Sequence, residues 1–265
     1  MFIDAHSHLD LYGEDLESVL AEINQHKIAT VSNSMDLPSY ERNLQIAENC
    51  NLILPVFGVH PWNASGHVDC LGSLGEAIDR SPMFGEIGLD HQFVRDASQY
   101  AAQTKLLEFF LAAASERDKL VILHSWGAEK EVLNLLRSYD IHRAIIHWYS
   151  GPLDVFQSMA DYRLYFSIGV EVLYSQHVQR IAQDLPSELL LTETDNPGGL
   201  QLLAGIPGRP LLIKQVIQKV ADLRQVSPQV IIDTVHANFL RLINDDRWVP
   251  DSYAKLLTDQ WLTSN

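Results

Sequence analysis

Cysteine is nearly absent from these 265 residues: Cys50 and Cys70 are too few for a disulfide framework. No apolar run approaches the roughly 18 residues of a membrane span. Basic residues are scarce, with 19 lysines and arginines against 34 acids, a formal charge of −15 and a pI near 5.0. Proteins that coat nucleic acid nonspecifically carry a basic footprint, and this chain has none. Phosphate chemistry here needs a locally positive site, most simply one containing metal ions. The opening MFIDAHSHLD carries acids and histidines where a secretory signal has a basic and then a long apolar region, so a cytoplasmic location is expected. Linkers, low-complexity tracts and short repeats are also missing, as are the GxxxxGKS/T, GxGxxG and GxSxG signatures.

What remains is an ordinary globular composition, 46% apolar and 20% charged, which excludes a disordered or fibrous chain. Short apolar runs alternate with amphipathic stretches. The predicted strands are Phe2–His6, Ile28–Asn33, Leu52–His60, Met83–Gly88, Leu120–His124, Arg143–His147, Leu164–Ile168 and Leu189–Glu193. Most read as parallel strands buried on both faces. Predicted helices include Glu14–Gln25, Tyr40–Glu48, Ala97–Arg117, Glu129–Ser138 and Ser175–Gln183, with closing helices at Arg209–Asp222, Pro228–Asn244 and Tyr253–Leu262. Eight βα alternations predict an α/β fold, a (β/α)8 TIM barrel forming a single domain over residues 1–265. A doubly wound open sheet is the rival.

Barrel chemistry sits at the C-terminal ends of the strands, and metal-capable residues end one predicted strand after another. His6 and His8 lie two apart, so both imidazoles face one side and reach one ion; the competing reading is a surface turn with incidental histidines. Glu86 lies in an apolar strand, where a carboxylate is costly unless paired or metal-bound. Its two oxygens can bridge two ions, or it pairs with an arginine. A lone histidine after an apolar run is usually a satisfied core residue, but His124 and His147 end adjacent strands beside Glu86 and point to a second metal pocket. Asp195, in Glu193-Thr194-Asp195-Asn196-Pro197, falls beside His6 and His8 once the barrel closes. There it binds metal and accepts a proton from an attacking water, or it merely caps a turn. His60 holds a phosphate oxygen or leaving group, or packs. Glu193 supports a ligand or faces solvent, Asn238 buttresses the site or is an ordinary helix residue, and Trp148 and Tyr149 stack on a base or fill space.

The blocks Asp4-Ala5-His6-Ser7-His8-Leu9, Gly58-Val59-His60-Pro61, Gly85-Glu86-Ile87-Gly88-Leu89-Asp90, His124-Ser125, His147-Trp148-Tyr149-Ser150-Gly151 and Glu193-Thr194-Asp195-Asn196-Pro197, then Asn238, resemble in order and spacing the TatD family of metal-dependent deoxyribonucleases. The resemblance spans nearly the whole chain and implies an amidohydrolase-like barrel with two divalent ions, Zn2+, Mg2+ or Mn2+. One ion would be held by His6, His8, Glu86 and Asp195, the other by Glu86, His124 and His147, with Glu86 bridging. Four positions depart from the family. Trp126-Gly127 follows Ser125 where members carry an arginine, His91 replaces an aromatic residue, Trp148-Tyr149 replaces Cys-Phe, and Gly198-Gly199 follows Pro197. The Trp-Tyr and Asn-Pro-Gly-Gly variants resemble TatD-like nucleases of anti-phage defence clusters, which implies protein partners in such a complex.

The function implied is hydrolysis of DNA phosphodiesters at strand ends or in single strands, as an exonuclease. Asp195 takes a proton from water, His60 holds the phosphate or leaving group, and two ions contribute +4 against −2 from Glu86 and Asp195. Two other readings stay open. One is a lactonase, amidase or phosphotriesterase, whose relatives often bridge their ions with a carboxylated lysine where this chain has Glu86. The other is a metal-binding subunit of a larger complex.

Overall fold

The computed structural model describes residues 1–243 and 246–264, and side chains through residue 259. Among these, eight strands form: β1 (Phe2–Ser7), β2 (Ile28–Asn33), β3 (Ile53–Val56), β4 (Phe84–Gly88), β5 (Val121–His124), β6 (Ala144–His147), β7 (Tyr165–Ile168) and β8 (Leu190–Thr192). All pair in parallel, in the orders β1-β2-β3 and β4-β5-β6-β7-β8. Isolated bridges between Phe57 and Phe84, and between Ser7 and Asn196, join the two ladders. Closure of β8 on β1 is reinforced by Asp195 N donating to His6 O at 2.9 Å and His8 N to Asn196 O at 2.7 Å. Below this seam the buried Asp4 carboxylate accepts from Thr194 N at 2.9 Å and Thr194 Oγ1 at 2.6 Å. A sequential order closed on itself is a barrel; a doubly wound sheet reverses its strand order partway.

The expected third strand is cut short. Pro55 has no N–H to give a ladder, and past Val56 the chain turns inward against β4. Gly58 fits there only because it lacks a side chain: a Cβ would lie 2.5 Å from Glu86 O. His60 therefore stands outside the strand, ahead of a 3-10 turn at Pro61–Gly66. The eighth strand is also shorter than expected, and Glu193 and Asp195 lie beyond it.

Helices α1 (Leu16–His26), α2 (Leu37–Ala47), α3 (Gly75–Arg80), α4 (Tyr100–Arg117), α5 (Glu129–Ser138), α6 (Leu153–Asp161), α7 (Gln176–Asp184), α8 (Gly198–Ala204), α9 (Leu212–Arg224), α10 (Pro228–Ile243) and α11 (Asp251–Ser264) follow or connect the strands. Asn244, the expected end of α10, lies outside the described residues. Helix α2 starts three residues earlier than its periodicity suggested, because Asp36 accepts from Ser39 N at 2.9 Å and Ser39 returns the cap. The short helices α3, α6 and α8 fall outside the ranges named from periodicity. The core is continuous through the barrel wall: Phe110 of α4 packs on Phe57 and Phe84 with ring centroids 5.7 and 5.5 Å apart. Each such side chain, fully buried, contributes about 1.5–3 kcal/mol of transfer free energy. Among the described residues no helix is long and apolar enough to cross a membrane.

Candidate metal centre

The C-terminal ends of β1, β4, β5 and β6 and the segment after β8 converge on Glu86, whose side chain is buried among histidines. One oxygen, Oε2, lies 3.4 Å from His6 Nε2 and 3.3 Å from His8 Nε2. Those two nitrogens are 3.2 Å apart, and Asp195 Oδ1 is 3.6 and 3.4 Å from them. The other oxygen, Oε1, lies 2.9 Å from His124 Nδ1, 3.1 Å from His147 Nε2 and 3.4 Å from His60 Nε2. Sequence reasoning thus named six side chains plus His60, and the fold brings all seven together.

The spacing tests the fit to metal. Four ligands held tetrahedrally at about 2.05 Å stand about 3.3 Å from one another, close to the separations around Glu86 Oε2. The donor chemistry also fits, since three groupings meet within ligand reach: His6–His8–Asp195, His6–Glu86–His147 and His60–Glu86–His124.

Electrostatics in the metal-free site follow from packing cations and anions out of water. Burial alone would raise the Glu86 carboxyl, but His60, His147 and His6 hold it well below its usual range. Burial likewise opposes charge on His8, yet hydrogen bonds to Asp195 and Glu86 carry it up to about 10. His6 goes the other way, to about 3, through burial and the neighbouring His147. His8 thus holds a proton that the neutral His6 faces. His147 is also raised well above its usual value, because Glu193 and Glu86 outweigh its burial.

Further carboxylates aim the imidazoles. Glu193 Oε1 is 3.2 Å from His147 Nδ1 and accepts from Trp148 N at 2.9 Å, while Ser167 Oγ donates to Oε2. Its side chain is fully buried, so it supports a histidine and does not face solvent. Asp90 does the same for His124, with Oδ2 2.9 Å from Nε2. Asp90 was legible only as part of the Leu89-Asp90 block; the signal missed was a carboxylate four residues beyond Glu86 that no strand alternation explains.

His60 differs from these histidines. Its Nδ1 accepts from Trp62 N at 3.3 Å, so in this tautomer the neutral ring carries its proton on Nε2, facing Glu86 Oε1. Asp195 adopts a left-handed backbone with φ 50° and faces His6 and His8, so it is not simply a turn cap. Two open readings resolve to the plainer alternative. Asn238 donates to Ser187 O at 2.7 Å and Leu190 O at 2.8 Å, at the start of β8, the barrel end opposite the histidines. Tyr149 is buried against Phe156 and Phe166 and offers no stacking face. Trp148 lines the site, and Gly199 makes room for it: a Cβ at 199 would lie 2.6 Å from Trp148 Cζ3. The Trp148 and Gly199 departures are therefore one packing change.

Fold and site together define a metal-dependent hydrolase on an amidohydrolase-like barrel. The sequence profile described as TatD related DNase matches residues 3–244, and the chain belongs to the TatD family. An uncharacterized metal-dependent hydrolase of Methanocaldococcus jannaschii is 24% identical over 89% of this chain and 94% of its own. Deoxyribonuclease TATDN3 of Homo sapiens is 26% identical over 91% and 93%. The crystal structure of YJJV, a TatD homologue from Escherichia coli, superposes with a TM-score of 0.83 at 28% identity, covering 91% of this chain and 97% of that one. A TatD family hydrolase from Entamoeba histolytica, at 17% identity and a TM-score of 0.79 over 91% and 97%, shares the fold.

Proposed function

We infer that this protein is a deoxyribonuclease, a single hydrolase domain that cleaves phosphodiester bonds at DNA strand ends with two divalent ions. The observation that carries the reading is the division of labour within Glu86: Oε2 faces His6 and His8, and Oε1 faces His124 and His147. His6, His8, Glu86 and Asp195 would hold one ion, and Glu86, His124 and His147 the other. Such ions supply Lewis-acid stabilisation of a phosphoryl group and make an attacking water more acidic.

The chain's own residues do the rest. Asp195, whose Oδ1 faces His6 and His8, takes the proton of the water through a carboxylate oxygen. His60, neutral through burial, donates from Nε2 to a phosphoryl or leaving oxygen. Glu193 and Asp90 hold His147 and His124 in the tautomer that leaves the Glu86-facing nitrogen free. The cavity over Glu86 measures about 200 Å³, which suits the end of one strand and supports exonucleolytic action. A role in anti-phage defence rests on the Trp148-Tyr149 and Asn196-Pro197-Gly198-Gly199 variants alone.

The test is release of nucleotides from 3′- or 5′-labelled single- and double-stranded DNA with and without added Mg2+, Mn2+ or Zn2+. Metal-dependent release of mononucleotides from one end is expected. No cleavage of any DNA under these conditions, with about two ions bound, would sink the reading.

A further inference from the structure

The cavity over Glu86 has an aromatic wall. Trp62, Phe93 and Trp126 line it in succession, with ring centroids 5.1 Å apart at 74° and 4.8 Å apart at 78°. Trp62 is 44% exposed and Phe93 49%, large apolar faces left open to water beside a charged centre. Leu11 and Leu202, both more than half exposed, belong to the same rim. The wall is tied to the site through one carboxylate: Asp90 Oδ2 takes Trp62 Nε1 at 2.7 Å as well as His124, and Asp90 Oδ1 takes Phe93 N at 2.8 Å. Among the described residues lining the cavity there is no lysine or arginine.

On the reading that the site cleaves DNA, we propose that Trp62, Phe93 and Trp126 grip the unpaired base of the nucleotide being released, so the substrate is the end of a single strand held by its base. The chain carries −15 and the described lining of its cavity no lysine or arginine, so binding beyond the ions comes from uncharged contact. Stacking on aromatic rings supplies it and tolerates any sequence, because every base has a π face. Paired bases inside a duplex offer no free face. About 200 Å³, below the 300–1,000 Å³ or so of common ligand pockets, admits one such unit.

The experiment compares oligonucleotides ending in a natural base with identical ones ending in an abasic tetrahydrofuran residue, at each end in turn, using metal-loaded protein. The expected wild-type preference for the base-bearing end is about 5- to 150-fold in kcat/KM, expressed in KM. Phe93→Ala and Trp126→Ala should each bring that ratio toward one, and Trp126→Phe should restore it; thermal melting checks that the variants fold. The log–log salt slope of 1/KM should be shallower than about −1.4, the value for two single-strand phosphate contacts. Equal cleavage of both ends by the wild type, or a preference that survives Phe93→Ala with Trp126→Ala, overturns the base grip while leaving the nuclease intact. Failure to cleave any oligonucleotide overturns the nuclease reading itself.

Discussion

Asp90 Oδ2 stands 2.9 Å from His124 Nε2 and Glu86 Oε1 2.9 Å from Nδ1 of the same ring, so Asp90 holds the Nε2 proton and Nδ1 is the nitrogen that would face a metal. Burial would raise the Asp90 carboxyl, but hydrogen bonds and charge from His124, then Trp62 and Phe93 N, hold it well below the carboxylate range. Asp90→Ala is expected to weaken the ion on the His124 side about 10- to 100-fold, the usual cost of losing such a support. Metal titration should show one site weakened and the other kept.

Glu86 lies between both donor groups, so its loss should differ from that of any histidine. The wild type is expected to hold about two divalent ions per chain at saturation. Glu86→Ala should empty both sites, and His124→Ala mainly one. Full occupancy in Glu86→Ala, measured by elemental analysis after desalting, contradicts the bridging assignment.

Asp195→Asn keeps the shape and a neutral oxygen near His6 and His8 but removes the base. Cleavage should fall about 10²–10⁴-fold in kcat with excess metal present. The melting temperature should shift by no more than about 4 °C, since the barrel core is untouched. Near-normal turnover would place the base elsewhere.

In the metal-free protein His8 is raised to about 10. A group whose folded pKa exceeds its unfolded value stabilises the fold fully below the unfolded pKa, near 6.5, and loses that contribution as pH rises toward about 10. Metal-free protein should therefore melt at lower temperature as pH climbs from about 7 to 10. Metal loading must expel the proton, so binding should release protons and tighten as pH rises. Calorimetry in buffers of different ionisation enthalpy reads the release directly.

Away from the chemistry, Lys119 is buried with Nζ donating to Ile78 O at 2.5 Å, Ser81 O at 2.7 Å and Asp79 O at 3.2 Å, 3.8 Å from the Trp248 ring centroid. Lys119→Met leaves buried carbonyls without a donor, at about 1–3 kcal/mol for each group not rescued by water. A drop of at least about 4 °C in melting temperature is expected, with metal content unchanged.

Eight apolar runs, each long enough for one buried strand, narrowed the fold to a barrel or a doubly wound sheet, because few arrangements bury both faces of so many strands. The sequence by itself determined the ligand candidates: His6, His8, Glu86, Asp195, His124 and His147 stand at or just past strand ends, and strand ends are where a parallel barrel gathers its chemistry. Tertiary structure alone decided the supports. Asp90 read only as part of a sequence block, and Glu193 as either a support or a solvent-facing acid, until packing set them against His124 and His147. Tertiary structure also took His60 off its strand and fixed its tautomer through Trp62 N, buried Tyr149, and sent Asn238 to the far end of the barrel. It assembled the aromatic wall from residues 62, 93 and 126, on three separate loops. Strand periodicity governs side chains on strands; loop side chains meet only where chain closure and burial place them, and no local pattern encodes that distance.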